Sequence, residues 1–463
     1  MPATDSPAII VARFLKANNY TESYAAFISE AGLPPDAGVI SKGDLTLETL
    51  LEEKKTFDVS VRFEKLGVHD GGERGWKVPA PETAAIVDDL PSSSNILSVA
   101  VHSVRMASHQ ESMAVMFVTT ADRRLHLLDA KTRTIQTSLV GLQDSPVLSV
   151  CVFRHEHLLT ASMSGQLLVS DLDGRPTERR RDHSKYIVRI AMYDESDEPL
   201  LATAGWDCKI VIYRPTVSDR GMVLGEPIAT ITLQTKPEAI ALIQHPIARL
   251  PILLLSRTDS SFLYYYTCES EPRLLGRQNL APHSNAWVAF TPSALALCPT
   301  DPTLLAVGTS SVPHMKLLLV RLLVPPYDQQ PSDTTTAPQS LRTSLLDDSP
   351  ATDTQASQAR AALVIADREA AAIQIHCTTM APQTAYSTPA VAWRPDGSGV
   401  WVNGDDGAVR GIEASTGKVI STLKGHEAGS KVRCLWAGSV NVEEVMLSGG
   451  FDQKLVAWTS PRA

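Results

Sequence analysis

Cysteine is scarce in this 463-residue chain, and the six present (Cys151, Cys208, Cys268, Cys298, Cys377 and Cys434) are scattered without a close pair. That spacing excludes Cys-x-x-Cys metal and redox motifs and supplies no disulfide framework. A lone cysteine inside an apolar run is expected to act as a small buried hydrophobe. Long hydrophobic runs are missing too. The longest, at 317–324, is broken by Arg321 and is too short to cross a bilayer, so no membrane insertion is expected. Basic charge is in deficit: 42 Lys and Arg face 51 Asp and Glu, for a net charge of −9. Phosphate binding needs a basic face, which argues against nucleic acid as a direct partner. The N-terminal MPATDSPAII has no basic stretch followed by a long apolar core. No signal peptide is read there, and the expected location is cytoplasmic and/or nuclear.

Signatures of catalysis are lacking as well. No GxSxG, HExxH or EF-hand pattern occurs. GIEASTGK (411–418) resembles a phosphate-binding loop, but five residues separate its glycines where four are needed, and no helix is expected to follow. His155 and His157 would share one face of a strand or turn, a conceivable metal pair without a third ligand nearby; a solvated turn is the reading adopted. No catalytic, cofactor-binding or metal residue is assigned, no cofactor is expected, and the chain is read as non-enzymatic.

What the chain has instead is short β-type runs. Its 43% hydrophobic and 20% charged residues are ordinary for a globular protein, and its length allows one large domain and a small one. Residues 418–459 hold four such runs, at 418–423, 432–436, 445–448 and 454–458, each bounded by Gly, Asp or Ser. Gly425-His426 stands near the start and Trp458 near the end. Four strands with these marks resemble a WD40 propeller blade. The resemblance implies a side-chain network linking the strands through His426, Ser448, Asp452 and Trp458. The physical need is that buried polar groups beside a tight strand turn must find partners.

Similar units recur every forty to fifty residues or so. They cover 96–129, 135–172, 176–214, 228–267, 274–323, 361–413 and the last stretch, making seven. The third matches the last best, with His183, Thr203, Asp207 and Tyr213, Tyr standing for Trp. The others are weaker: Leu128-Asp129 replaces Trp-Asp in the first, Ser164 the turn Asp in the second, Asp259 and Tyr265 survive in the fourth, and Asp406 with Ile412 in the sixth. Residues 84–88 are expected to add the outer strand that completes the last unit and removes an open sheet edge. The fold class is therefore mainly β: a seven-bladed WD40 β-propeller over 83–460. A Pro-, Ser-, Thr-, Gln- and Asp-rich insertion at 325–360 reads as a disordered surface loop. Its Ser349-Pro350 is either a phosphorylation site or an unmodified part of a tolerated insertion.

Ahead of the propeller, residues 6–35 read as two short amphipathic helices. Ser6-Pro7 starts the first, Asn18-Asn19 makes the turn, Thr21 is expected to cap the second, and Gly32 with Pro34-Pro35 ends it. The pattern Ile10, Phe14-Leu15, Tyr20, Ala25-Ala26, Phe27 and Glu30 resembles the LisH motif. Asn19 replaces that motif's usual Gly, which a turn tolerates because Asn accepts positive φ. A pair this small cannot bury its own apolar face. The resemblance implies a homodimer through Ile10, Phe14, Leu15, Tyr20, Tyr24 and Phe27; the alternative is a hairpin packed on the propeller. Residues 36–82 are read as a short helix near 45–55 and a connector.

In propellers, residues at the start of the inner strand and just before the turn Asp project onto one face around the channel. In the third and seventh units these are read as Arg189 with Trp206 and Arg433 with Phe451. An arginine beside an exposed aromatic is the composition of a binding hot spot; the alternative is that Trp206 and Phe451 tuck between blades as packing. Arg179-Arg180-Arg181 reads as an exposed outer strand or loop. The function expected is a LisH–WD40 interaction scaffold that binds proteins or peptides. The alternative is a substrate receptor or subunit of a ubiquitin ligase, for which Ile212-Tyr213-Arg214 is the nearest approach to the expected blade ending.

Overall fold

The computed structural model describes residues 6–40, 44, 46–48, 51, 76, 78–105, 112–195, 198–218, 221–284, 288–328 and 355–460, with side chains from 361 onward in the last stretch. Two compact units divide the chain, 1–73 and 74–463. The larger is a seven-bladed β-propeller, each blade a four-stranded antiparallel sheet. The innermost strands are Ile96–Val104, Val147–Phe153, Ile187–Tyr193, Pro237–Gln244, Thr291–Leu297, Val391–Trp393 and Val432–Val440. Each touches its neighbours, so the seven form a closed ring.

The second strand of each blade is nearly continuous in its apolar character because a blade lies on either side of it. Leu200–Gly205 is buried at every position, as expected for a strand covered on both faces. The core is accordingly divided into seven clusters, one at each junction between neighbouring blades. This is the nearest-neighbour packing of a repeat architecture bent into a circle.

Thr83–Ile86 pairs antiparallel with Leu455–Thr459, placing Ala84 opposite Trp458. The ring thus closes with the expected N-terminal strand. Repeats and blades are offset by one strand. Val419–Lys424, the first run of the last repeat, is the outer strand of blade six, and Ile135–Val140, Pro176–Arg180, Ala229–Thr232 and Leu274–Asn279 likewise complete the preceding blade. The sequence units therefore need correction by one strand each. Covalent order starts a repeat with its outer strand, but that strand finds its hydrogen-bonding edge on the sheet just finished.

Two elements depart further from expectation. Gln355–Ala372 (α3) is a helix, where a loop and the start of a sixth unit were expected, and the strand after it, Ile373–Pro382, closes blade five. The start of the expected loop is anchored: Tyr327 is buried, donates from its hydroxyl to Glu269 Oε1 (2.9 Å), and Pro325 O lies 2.9 Å from His245 Nε2. The remainder, with Ser349-Pro350, lies outside the described residues. An unforeseen hairpin, Thr216–Ser218 with Gly221–Val223, is inserted before the outer strand of blade three.

The smaller unit holds the helical pair, Pro7–Ala17 (α1) and Thr21–Glu30 (α2). Ser6 caps α1 by accepting from the Ile9 amide (3.4 Å), Pro7 supplies a pre-set φ, and Asn19 takes φ 59° in the turn. Thr21 is not the cap of α2. That place falls to Tyr20, whose side chain makes no capping bond, and Thr21 is the first helical residue. Residues after Gly32 fold back against the pair: Tyr24 of α2 donates to Pro35 O (2.9 Å) and accepts from the Gly38 amide (3.3 Å), and Gly38 also lies beside Ala12 and Lys16 of α1. The helix expected at 45–55 and the connector to residue 75 lie largely outside the described residues.

Candidate binding face of the propeller

Six of the seven innermost strands begin with the same irregularity. One residue bulges from the ladder so that two residues oppose one on the second strand. The bulged residues are Leu97, Leu148, Val188, Glu238, Ser293 and Arg433, and all of them line a central channel cavity of ≈ 680 Å³. Arg189 and Trp206 line it as well.

Three of the four candidate surface residues thus meet in one place. Trp206 is 38% exposed at the channel mouth, stacks on Tyr186 (5.2 Å between centroids) and carries Lys236 Nζ 4.7 Å above its ring. Phe451 is exposed but is not part of the channel wall. Arg189 and Arg433 share the lumen without being equivalent. Ile187 pairs with Gly205 and Val432 with Gly450, so Val188 is the counterpart of Arg433, and Arg189 that of Cys434. The equal-position reading fails because the loop between the histidine and the innermost strand is shorter in blade three (His183 to Ile187) than in blade seven (His426 to Val432).

The electrostatics of the channel are uneven. Burial lowers the Arg189 guanidinium from its usual range against the opposing charge of Glu238. Burial, with the charge of Arg189 added, brings Arg433 down to about 10. Burial raises Glu238, opposed by Ser293 and by the charges of Arg189 and Lys236.

The side-chain networks that shape this face are present in both well-marked blades. In blade seven, His426 Nδ1 lies 3.0 Å from the Asp452 carboxylate, His426 Nε2 lies 2.8 Å from Ser448 Oγ, and Trp458 Nε1 donates to the same Oγ at 2.9 Å. The Glu427 amide also donates to Asp452 (3.0 Å). Burial pushes the Asp452 carboxyl up, but the hydrogen bonds from His426 and the Glu427 amide outweigh it and hold the group below the usual carboxylate range. In blade three, His183 repeats this with Asp207 (2.9 Å) and Thr203 (2.9 Å). There Tyr213 does not copy the tryptophan: its hydroxyl donates to Asp182 Oδ2 at 2.8 Å. A glycine must precede each turn. A Cβ on Gly205 would lie 2.2 Å from His183 Nδ1, and one on Gly450 would lie 2.5 Å from Asp452 Oδ1.

Weaker blades solve the same turn differently, and sequence reasoning missed how. In blade one Asp122 occupies the turn and Ser92 and Ser94 take the place of the histidine (2.8 and 3.1 Å). In blade two Ser164 bonds Asp144 and the Ser145 hydroxyl. Tyr265 of blade four reaches Gln278 (2.7 Å) instead of a turn residue. Two of the three arginines in the run are paired: Arg180 meets Asp182, Glu178 and Glu226, and Arg181 meets Asp144. His155 is bonded to the Ser103 carbonyl (2.8 Å) and His157 stacks on Phe153. Among the described residues no group of three His, Cys, Asp or Glu is placed to hold a metal, and no helix is long and apolar enough to cross a membrane.

Also unforeseen is a clamp on the outside of blades six and seven. Arg394 is fully buried, pairs with Glu444 (2.6 Å) and lies 4.5 Å from the ring of Trp76, which packs edge-on against Trp401 (5.0 Å). Gly399 and Gly411 make room for that indole, since a Cβ on either would fall within 2.6 Å of it.

Seven blades, an N-terminal closing strand and the His–Ser/Thr–Asp networks define a WD40-type β-propeller carrying a LisH-type helical pair. The chain belongs to the UCP007778 family: residues 89–459 match its beta-propeller domain and residues 8–35 its LisH domain. No curated protein matches it.

Proposed function

We propose that this protein is a non-enzymatic scaffold that dimerises through its N-terminal helices and holds a partner protein or peptide at the channel mouth. A propeller joined to a LisH domain fits a protein-interaction scaffold in general. The observation that carries the finer reading is the convergence of Arg189, Arg433 and the Trp206–Tyr186 stack on one cavity. Aromatic and arginine side chains dominate the energetics of protein interfaces. All six cysteines are free thiols, which supports a reducing compartment, cytoplasm and/or nucleus. The ubiquitin-ligase alternative gains nothing here, because the ending Ile212-Tyr213-Arg214 lacks the expected Asp.

Dimerisation is supported by what the helical pair leaves uncovered. No residue of α2 is buried, Tyr20 is 53% exposed, and Phe14, Leu15, Tyr24 and Phe27 are only half-buried, whereas Ile10, at 8% exposed, is already covered within the unit and drops out of the expected contact set. Light scattering at micromolar concentration should give a dimer for the full chain and a monomer after deletion of residues 1–35; a full-length monomer sinks this part of the reading. The face is tested by quantitative affinity capture from native cells, comparing the parent with a folded Trp206→Ala/Arg433→Ala variant. Loss of one coherent set of partners is expected, and an unchanged set moves the partner site away from the channel.

A further inference from the structure

The charges of the channel wall are segregated. Its two acidic residues, Glu238 and Asp259, both come from blade four, and Glu238 acts as counter-charge to Arg189 of the adjoining blade three. Among the described residues, the wall contributed by blades six, seven, one and two contains no acidic residue, and Arg433 is its one charged group. Among the described residues Arg433 has no ion pair and no side-chain hydrogen bond, and the charge that bears on it is the repulsive one of Arg189. A half-buried guanidinium offers five donors in a fixed fork, and those of Arg433 open onto the cavity and do not count among the buried unpartnered atoms. The bulge that takes Arg433 out of the ladder delivers that fork to the lumen.

We propose that Arg433 and Arg189 together receive a carboxylate, supplied by an aspartate or glutamate of a partner protein whose chain enters the channel mouth. This deepens the scaffold reading and rests on it. The cavity of ≈ 680 Å³ has the size of a site for a short peptide segment. At its rim the Trp206–Tyr186 stack and Tyr386, 91% exposed, offer aromatic surface for the flanking residues. The two acids of blade four share the cavity with the arginines and set the limit on charge, disfavouring a phosphate or a polyanionic stretch relative to a single carboxylate.

The test is calorimetric titration of the full-length protein at low salt with capped alanine heptapeptides differing at the central residue. The glutamate peptide is expected to bind about tenfold or more tightly than its glutamine counterpart and more tightly than the phosphoserine peptide. Arg433→Gln should erase the glutamate preference, Arg433→Lys should retain part of it, and Arg189→Gln, measured in parallel, should weaken it. Equal binding of the glutamate and glutamine peptides, binding of neither, or a preference that survives Arg433→Gln overturns the proposal. Tighter binding of phosphoserine overturns the carboxylate assignment. If cellular partners are lost from Trp206→Ala/Arg433→Ala while the peptides show no charge preference, only this inference falls and the partner face stands.

Discussion

Trp458→Ala tests the blade architecture at its most informative point. The side chain is 2% exposed and packs with Trp401, Leu423, Met446 and Val456 in the cluster between blades six and seven. Gly425 lies against the ring, where a Cβ would sit 2.8 Å away. A buried tryptophan withdraws about 200 Å² from water, which at about 25 cal/mol per Å² is worth about 5 kcal/mol before the alanine and local relaxation are subtracted. Tryptophan-to-alanine changes in cores cost about 3–5 kcal/mol. Loss of the indole donor adds only about 1 kcal/mol, because Ser448 Oγ keeps His426 as a partner. A total near 4–5 kcal/mol corresponds to a fall in Tm of about 5–6 °C in a domain of this size. Trp458→Phe, which keeps most of the apolar contact and loses the N–H, should cost about 1–2 kcal/mol. Thermal and urea denaturation followed by circular dichroism measures both. An alanine variant melting within about 2 °C of the parent, or a phenylalanine variant as damaged as the alanine one, refutes the reasoning.

Two further outcomes follow from local geometry. Because the Asp452 carboxyl titrates lower when folded than when unfolded, its contribution is complete above the unfolded value of about 4 and is lost as pH falls through the folded one. The Tm gap between parent and Asp452→Asn should therefore be widest near neutrality and narrow below about pH 4; a gap independent of pH contradicts this. At the hairpin between Val432–Val440 and Glu443–Gly450, both turn residues have positive φ, Asn441 at 49° and Val442 at 75°, and Val442 is 97% exposed. Valine is poorly suited to that conformation, so Val442→Gly should raise stability by about 1 kcal/mol in urea titration, and a destabilised variant counts against the strain argument.

The propeller was legible because two blades carry their networks in side-chain identities. His426, Ser448, Asp452 and Trp458, and His183, Thr203 and Asp207, keep both their chemistry and their spacing. Seven short-strand units and the closing strand at Thr83–Ile86 could likewise be read from periodicity and turn residues. Which sheet an outer strand joins could not, since covalent order does not say which edge is open when the strand arrives. The helix at Gln355–Ala372 was hidden because its QASQARAALVIADREAAA has no apolar stripe; its alanine content was the available signal. The pairing of Arg189 with Arg433 slipped by one residue because the loop from the histidine to the innermost strand differs in length between the two blades, His183 to Ile187 against His426 to Val432. Arg394 with Glu444 joins distant stretches, and neither residue belongs to a motif.

The closing pair, Thr83–Ile86 on Leu455–Thr459, brings together strands from opposite ends of the propeller sequence. During synthesis the first of them emerges early and has no edge to join until blade seven has been made. The last contacts of the ring are then among the longest-range in the chain, and contacts of that kind are the slow ones to form. Until they form, a nascent propeller presents two unpaired sheet edges, the condition under which chains pair with one another instead. A ribosome that stalls before residue 455 releases six sealed blades and an open circle.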